Sequence, residues 1–151
     1  MADKENEIGH YHVGYVCGAY DLFHVGHLRL LKRCKEHCDY LIVGIDSDEL
    51  VEYYKNRKPY IPEEERLEIV RAVKYVDDAV MVDYHNMDTK NAWELYQFDV
   101  QFCGDDHEEA LRDRKKYLQS LGSDMVFFPY TMSTSSTQIR AKIQGQENSN
   151  V

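Results

Sequence analysis

The chain has 151 residues, enough for one domain with a packed core, and 43% of them are hydrophobic. A formal charge of -9 argues against general nucleic-acid binding, which leaves a basic footprint, yet it allows a local basic pocket for a small phosphorylated ligand. No apolar run reaches the roughly 18 residues of a membrane span, and the polar start MADKENEIGH holds no apolar signal region, so a cytoplasmic protein without a membrane span is expected.

Strand and helix signals alternate along the chain. Residues 1–10 are polar and expected to be flexible. HVGYVCG (12–18) reads as a strand. Residues 26–38 carry Leu28, Leu31, Cys34 and Cys38 at helical spacing. DYLIVGID (39–46) holds a continuous apolar run, as a strand buried on both faces requires. A flexible basic loop with Lys55 and Arg57 is expected next. PEEERLEIVRAVKYV (62–76) starts with Pro62 and three glutamates, which favour helix initiation. DAVMV (78–82) is a strand, 89–97 a helix, DVQFCG (99–104) a strand, 107–121 a helix and DMVFFP (124–129) a short last strand. A final helix carries Ile139 and Ile143, and the polar tail 145–151 is expected to be flexible. The pattern implies one α/β domain over 11–144, with about five mostly parallel strands and helices on both faces. Ligands of such sheets bind beyond the carboxyl ends of the strands.

The four cysteines, Cys17, Cys34, Cys38 and Cys103, contain no C-x-x-C pair. Cys34 and Cys38 read as small core hydrophobes, and Cys17 and Cys103 as buried thiols at strand ends, in keeping with a reducing compartment. There is no H-E-x-x-H, and no protein metal site is expected.

The densest chemistry lies in GAYDLFHVGH (18–27), just after the first strand. Gly18 permits close backbone approach or an unusual turn, and Gly26 opens the next helix. Unpaired amides at that helix start can bind an anion, and His24 and His27 can donate to the same anion. Asp21 can orient an imidazole, brace the loop or assist with a metal-bound phosphate. Near the other end, Ser135 and Gln138 fit a capping box, which puts Ser136 and Thr137 in the first turn of the last helix.

GAYDLFHVGH resembles the G-[TCS]-F-D-x-x-H-x-G-H signature of the cytidylyltransferase-like nucleotidyltransferases, with Ala19 and Tyr20 departing at the middle positions. KNRKPYIPEEER, KYVDDAV, FCGDDHEE and MSTSSTQIR resemble further segments of that family, in order, so the resemblance covers about residues 12–143. It is nearest to the glycerol-3-phosphate cytidylyltransferases. Tyr130 and Ser133 stand where the closing motif usually has arginine and glycine.

The resemblance implies a Rossmann-like domain that transfers CMP from CTP to a small phosphorylated alcohol. Glycerol 3-phosphate is favoured as acceptor, pyrophosphate is released, and no covalent enzyme intermediate forms. The implied catalytic residues are His24, His27 and Lys55. Gly18, Ala19, Tyr20, Asp21, Gly26, Gly104, Asp105, Asp106, Ser135, Ser136 and Thr137 are implied to hold the nucleotide. Arg57, Arg66 and Lys74 are implied to hold the second substrate. From the residues alone, Arg66 can equally pair with glutamates of its own helix, and Lys74 can be a surface cation at a helix end. Mg²⁺ is implied with the triphosphate, and a homodimer as the assembly. Two alternatives stay open: an adenylyltransferase using ATP, and a non-catalytic nucleotide-binding module.

Overall fold

The computed structural model describes residues 8–104, 108–129 and 136–149. The elements run β1 (Tyr11–Gly18), α1 (Val25–Glu36), β2 (Cys38–Asp46), α2 (Asp48–Lys55), α3 (Glu63–Arg71), β3 (Asp78–Val82), α4 (Thr89–Tyr96), β4 (Val100–Gly104), α5 (Arg112–Ser120), β5 (Asp124–Phe128) and α6 (Ser136–Ser149).

The five strands form one parallel sheet in the order β3-β2-β1-β4-β5. The fold is the expected α/β Rossmann-like one. From β1 the chain moves outward through β2 to β3, then returns to the other side of β1 as β4. That reversal opens a crevice at the carboxyl ends of β1 and β4.

Each sheet face has its own core. One packs Val16, Leu41, Val43, Ile45, Val100 and Phe102 against Leu31 and Cys34 of α1 and Val70 of α3. The other packs Tyr15, Ile42 and Met125 against Ala92 of α4 and Leu118 of α5. β2 is therefore covered on both sides, which explains its unbroken apolar run. In β1, Gly14 permits tight layering: a Cβ there would lie 2.6 Å from Phe102 Cε2 and 2.9 Å from Cys38 Sγ.

Several boundaries differ from expectation, the first being that α1 ends at Glu36, so that Cys38 belongs to β2. The stretch after β2 is not all loop, because Ser47 caps α2 through the Leu50 amide at 3.1 Å. α3 ends at Arg71 rather than 76. There the Val73 and Val76 amides turn back to carbonyls three residues earlier, and Asp77 leaves the helix to bond Leu41 at the start of the β2–β3 pairing. α5 starts at Arg112 rather than 107. α6 continues to Ser149, past the expected end at 144. Cys34 is buried on α1 as expected; Cys38 is buried too, but as the first residue of β2 rather than on the helix stripe. Cys17 is exposed and Cys103 half-buried at their strand ends, and no disulfide links the four cysteines. Among the described residues, no helix is long and apolar enough to cross a membrane.

Candidate active site

The loop from β1 to α1 is strained. Tyr20 has φ 53° and Leu22 φ 51°, left-handed values in bulky residues. Each costs on the order of 1–2 kcal/mol. Gly18 does not supply the turn; it supplies close approach, since a Cβ there would lie 3.3 Å from the Tyr20 ring.

Three anchors hold this loop. The Asp21 carboxylate accepts from the amides of Tyr60 (2.9 Å), Ile61 (3.0 Å) and Leu22 (3.1 Å). Of the roles open to it, Asp21 therefore braces the loop. Ser136 at the start of α6 donates its hydroxyl to the Asp21 carbonyl at 2.6 Å. Arg66 donates Nη1 to the Ala19 carbonyl at 2.6 Å.

Arg66 requires a correction. It is 1% exposed and buried behind the loop. It also donates to the carbonyls of Ile61 (2.9 Å) and Asp46 (2.7 Å), and Nη2 meets Asp48 Oδ1 at 2.7 Å. With its donors engaged by four acceptors from three chain segments, it has no free edge for a substrate, and its carboxylate partner is Asp48 rather than a glutamate of its own helix. Lys74 also falls outside the pocket. It lies in the turn that feeds the amino end of β3, opposite the ligand rim, with its ammonium over the Tyr75 ring at 5.1 Å.

His24 and His27 converge as the spacing requires. Their rings stack with centroids 3.9 Å apart. His24 caps α1, its Nδ1 accepting from the Gly26 amide at 3.0 Å, while His27 Nδ1 accepts from the His24 amide at 3.3 Å. Both Nδ1 atoms thus act as acceptors, which puts the proton of each neutral ring on Nε2. This revises the expected anion site: the Gly26 amide is engaged by an imidazole, and the helix start presents ring N–H groups instead. Burial lowers the His24 pKa. Burial first, then the neighbouring His24, lowers His27 to about 3. Both rings are neutral donors at physiological pH, and His24 Nε2 is buried without a partner.

One pocket gathers these groups. It is lined by Ala19, Tyr20, Asp21, His24, His27 and Val51, by Lys55 and Arg57, and by Ser136, Thr137 and Arg140 of α6. Lys55 is the last residue of α2 rather than a loop residue. Its pKa is lowered by partial burial first, then by Arg57 and Arg140. Arg140 donates Nη2 to Thr137 Oγ1 at 3.1 Å. The pocket's carboxylate, Asp21, is already engaged by backbone amides, so three crowded cations dominate. An acidic protein carries a basic pocket suited to a polyanion.

Gly104 ends β4 and does not line this pocket. Asp105, Asp106 and Ser135 lie outside the described residues. Among the described residues, no three His, Cys, Asp or Glu side chains are grouped to hold a metal ion. Val51 carries no signal in the motif pattern. Helical spacing was the available signal for Arg140, one turn beyond Ser136 and Thr137.

The family model described as cytidylyltransferase-like matches residues 15–142. The FAD synthase of Pyrococcus abyssi (strain GE5 / Orsay) is 38% identical over 117 residues, covering 76% of this chain and 78% of that protein. The glycerol-3-phosphate cytidylyltransferase of Bacillus subtilis (strain 168) is 33% identical over 132 residues, covering 85% and 94%. Among solved structures, the lipopolysaccharide core biosynthesis protein from Thermoplasma volcanium GSS1 has a TM-score of 0.69 at 21% identity, over 82% of this chain and 99% of that one. That last likeness is one of fold.

Proposed function

The chain belongs to the cytidylyltransferase-like family, and from that premise we propose that it transfers CMP from CTP to the phosphate of a small phosphorylated alcohol, glycerol 3-phosphate being favoured. An acceptor phosphate oxygen attacks the α-phosphorus, the bond from that phosphorus to the bridging oxygen breaks, and pyrophosphate leaves. The attacking oxygen is already anionic, so no strong base is needed. The work is positioning and the neutralisation of charge on the transferring phosphate and leaving group.

The observation that carries this reading is the meeting of two neutral imidazoles with Lys55, Arg57 and Arg140 in one pocket. His24 and His27 donate from Nε2 to the α- and β-phosphate oxygens. Thr137 and Ser136 at the start of α6 face the β- and γ-phosphates, with Arg140 adding charge. Lys55 and Arg57 approach from the other wall and contact both phosphorylated ligands. Ala19, Tyr20 and Asp21 line the pocket beside the imidazoles, and Gly104, Asp105 and Asp106 are assigned to the nucleotide. Mg²⁺ would accompany the triphosphate and offset part of its charge; Asp21, whose two oxygens accept backbone amides, is not assigned as its ligand. The high coverage of the glycerol-3-phosphate relatives, 94% of the Bacillus protein, favours CTP and a small acceptor. A homodimer is part of the proposal, and sedimentation equilibrium reads it directly.

A second reading, AMP transfer from ATP, is favoured by the higher identity to FAD synthases. Purified protein with Mg²⁺, CTP or ATP, and a panel of phosphorylated alcohols plus FMN decides between them by pyrophosphate release. Turnover with CTP and glycerol 3-phosphate supports the first reading. Turnover with ATP and FMN alone replaces it, and nucleotide binding without turnover across the panel leaves a binding module.

A further inference from the structure

Asp46 ends β2 at the ligand rim and is 8% exposed, yet among the described residues its carboxylate forms no ion pair. Its backbone carbonyl accepts from Arg66, and its Oδ2 accepts from the Tyr54 hydroxyl. A buried carboxylate held by a phenol is costly to keep, and such groups cluster at functional sites.

Tyr54 is the penultimate residue of α2, directly before Lys55. Its ring lies 5.7 Å from the Lys55 ammonium, within cation–π range. The helix stops at once: Asn56 is left-handed, φ 55°. Leu50 and Val51 bury the earlier turns of α2, while the last turn is tied to the sheet through the Tyr54 hydroxyl. Asp46 also favours the charged form of Lys55, against burial, Arg57 and Arg140.

We propose that Tyr54 and Asp46 are the positioning pair of this site: the carboxylate fixes the phenol, and the phenol ring fixes the Lys55 ammonium where the incoming phosphates meet it. The inference rests on the reading of Lys55 as a phosphate-contacting residue. A plain structural staple between α2 and the sheet would use the same contacts, but its loss would not pass through Lys55.

The test is a double-mutant cycle on the full chain, read as calorimetric affinity for inorganic tripolyphosphate, with thermal melts to confirm folding. Lys55→Ala is expected to weaken binding about tenfold or more, and Tyr54→Phe about threefold to tenfold. In the Lys55→Ala background, Tyr54→Phe is expected to cost nothing further. Asp46→Asn, a second route to the same loss, should behave like Tyr54→Phe. Wild-type affinity in Tyr54→Phe, or an equal loss in both backgrounds, overturns the pair. Unchanged affinity in Lys55→Ala overturns the pair together with the role of Lys55. Tripolyphosphate lacks base and acceptor, so failure of turnover with CTP and ATP would refute the proposed reaction and leave this result readable.

Discussion

His27→Asn should remove an acid sensitivity built into the site. The folded protein holds His27 near pKa 3, whereas the free side chain titrates at 6.5. Between those values the unfolded chain binds a proton that the folded chain refuses. Acid therefore favours unfolding: the stability is complete above about pH 6.5 and is lost as pH falls toward 3. The slope is about 1.4 kcal/mol per pH unit, so at pH 5 the loss is about 2 kcal/mol. For a domain of this size that is about 4–8 °C in melting temperature. Asparagine is the right replacement because its Oδ1 can still accept the His24 amide in place of Nδ1. Urea unfolding at pH 7.5 and pH 5, for wild type and variant, isolates the effect, because other titrating groups cancel in the difference. Wild type should lose about 2 kcal/mol more than the variant. Equal losses would refute a neutral, desolvated His27.

Tyr20→Phe should stabilise the protein by about 1 kcal/mol, because the Tyr20 hydroxyl is buried without a partner. Calorimetry should show a rise of about 2–4 °C; a fall would mean that the hydroxyl is bonded. Arg66→Met should destabilise by about 3–5 kcal/mol, since it removes a buried guanidinium bonded to four acceptors in three segments. Hydrogen exchange should speed up first at residues 19–22 and 60–61, and uniform acceleration would contradict the clamp. Gly14→Ala should cost about 1–3 kcal/mol by overpacking, because Phe102 is stacked on Phe128 at 5.3 Å and has little room to yield. An unchanged denaturation midpoint would show that the layer gives.

The alternation of strands and helices was legible because burial imposes distinct periods on each. The run LIVGI in β2 could only be a strand covered twice, and Leu31 and Cys34 had to share a helix face. The pairing of His24 with His27 was legible too, since three residues on a helix return to the same side. What escaped was set by partners distant in the chain. α2 rests on a short cap signal at Ser47 that an apolar-period reading passes over. Arg66 looks like an accessible cation until four carbonyl and carboxylate groups from residues 19, 46, 48 and 61 close around it. Left-handed Tyr20 and Leu22 have no local cause, because their strain is held only by the Asp21 and Arg66 bonds across the fold. Local periodicity and spacing thus dictated the elements and the imidazole pair. Burial, and with it the protonation of the histidines and the inward turn of Arg66, came from long-range packing, because desolvation depends on every neighbour and no short stretch of chain contains them.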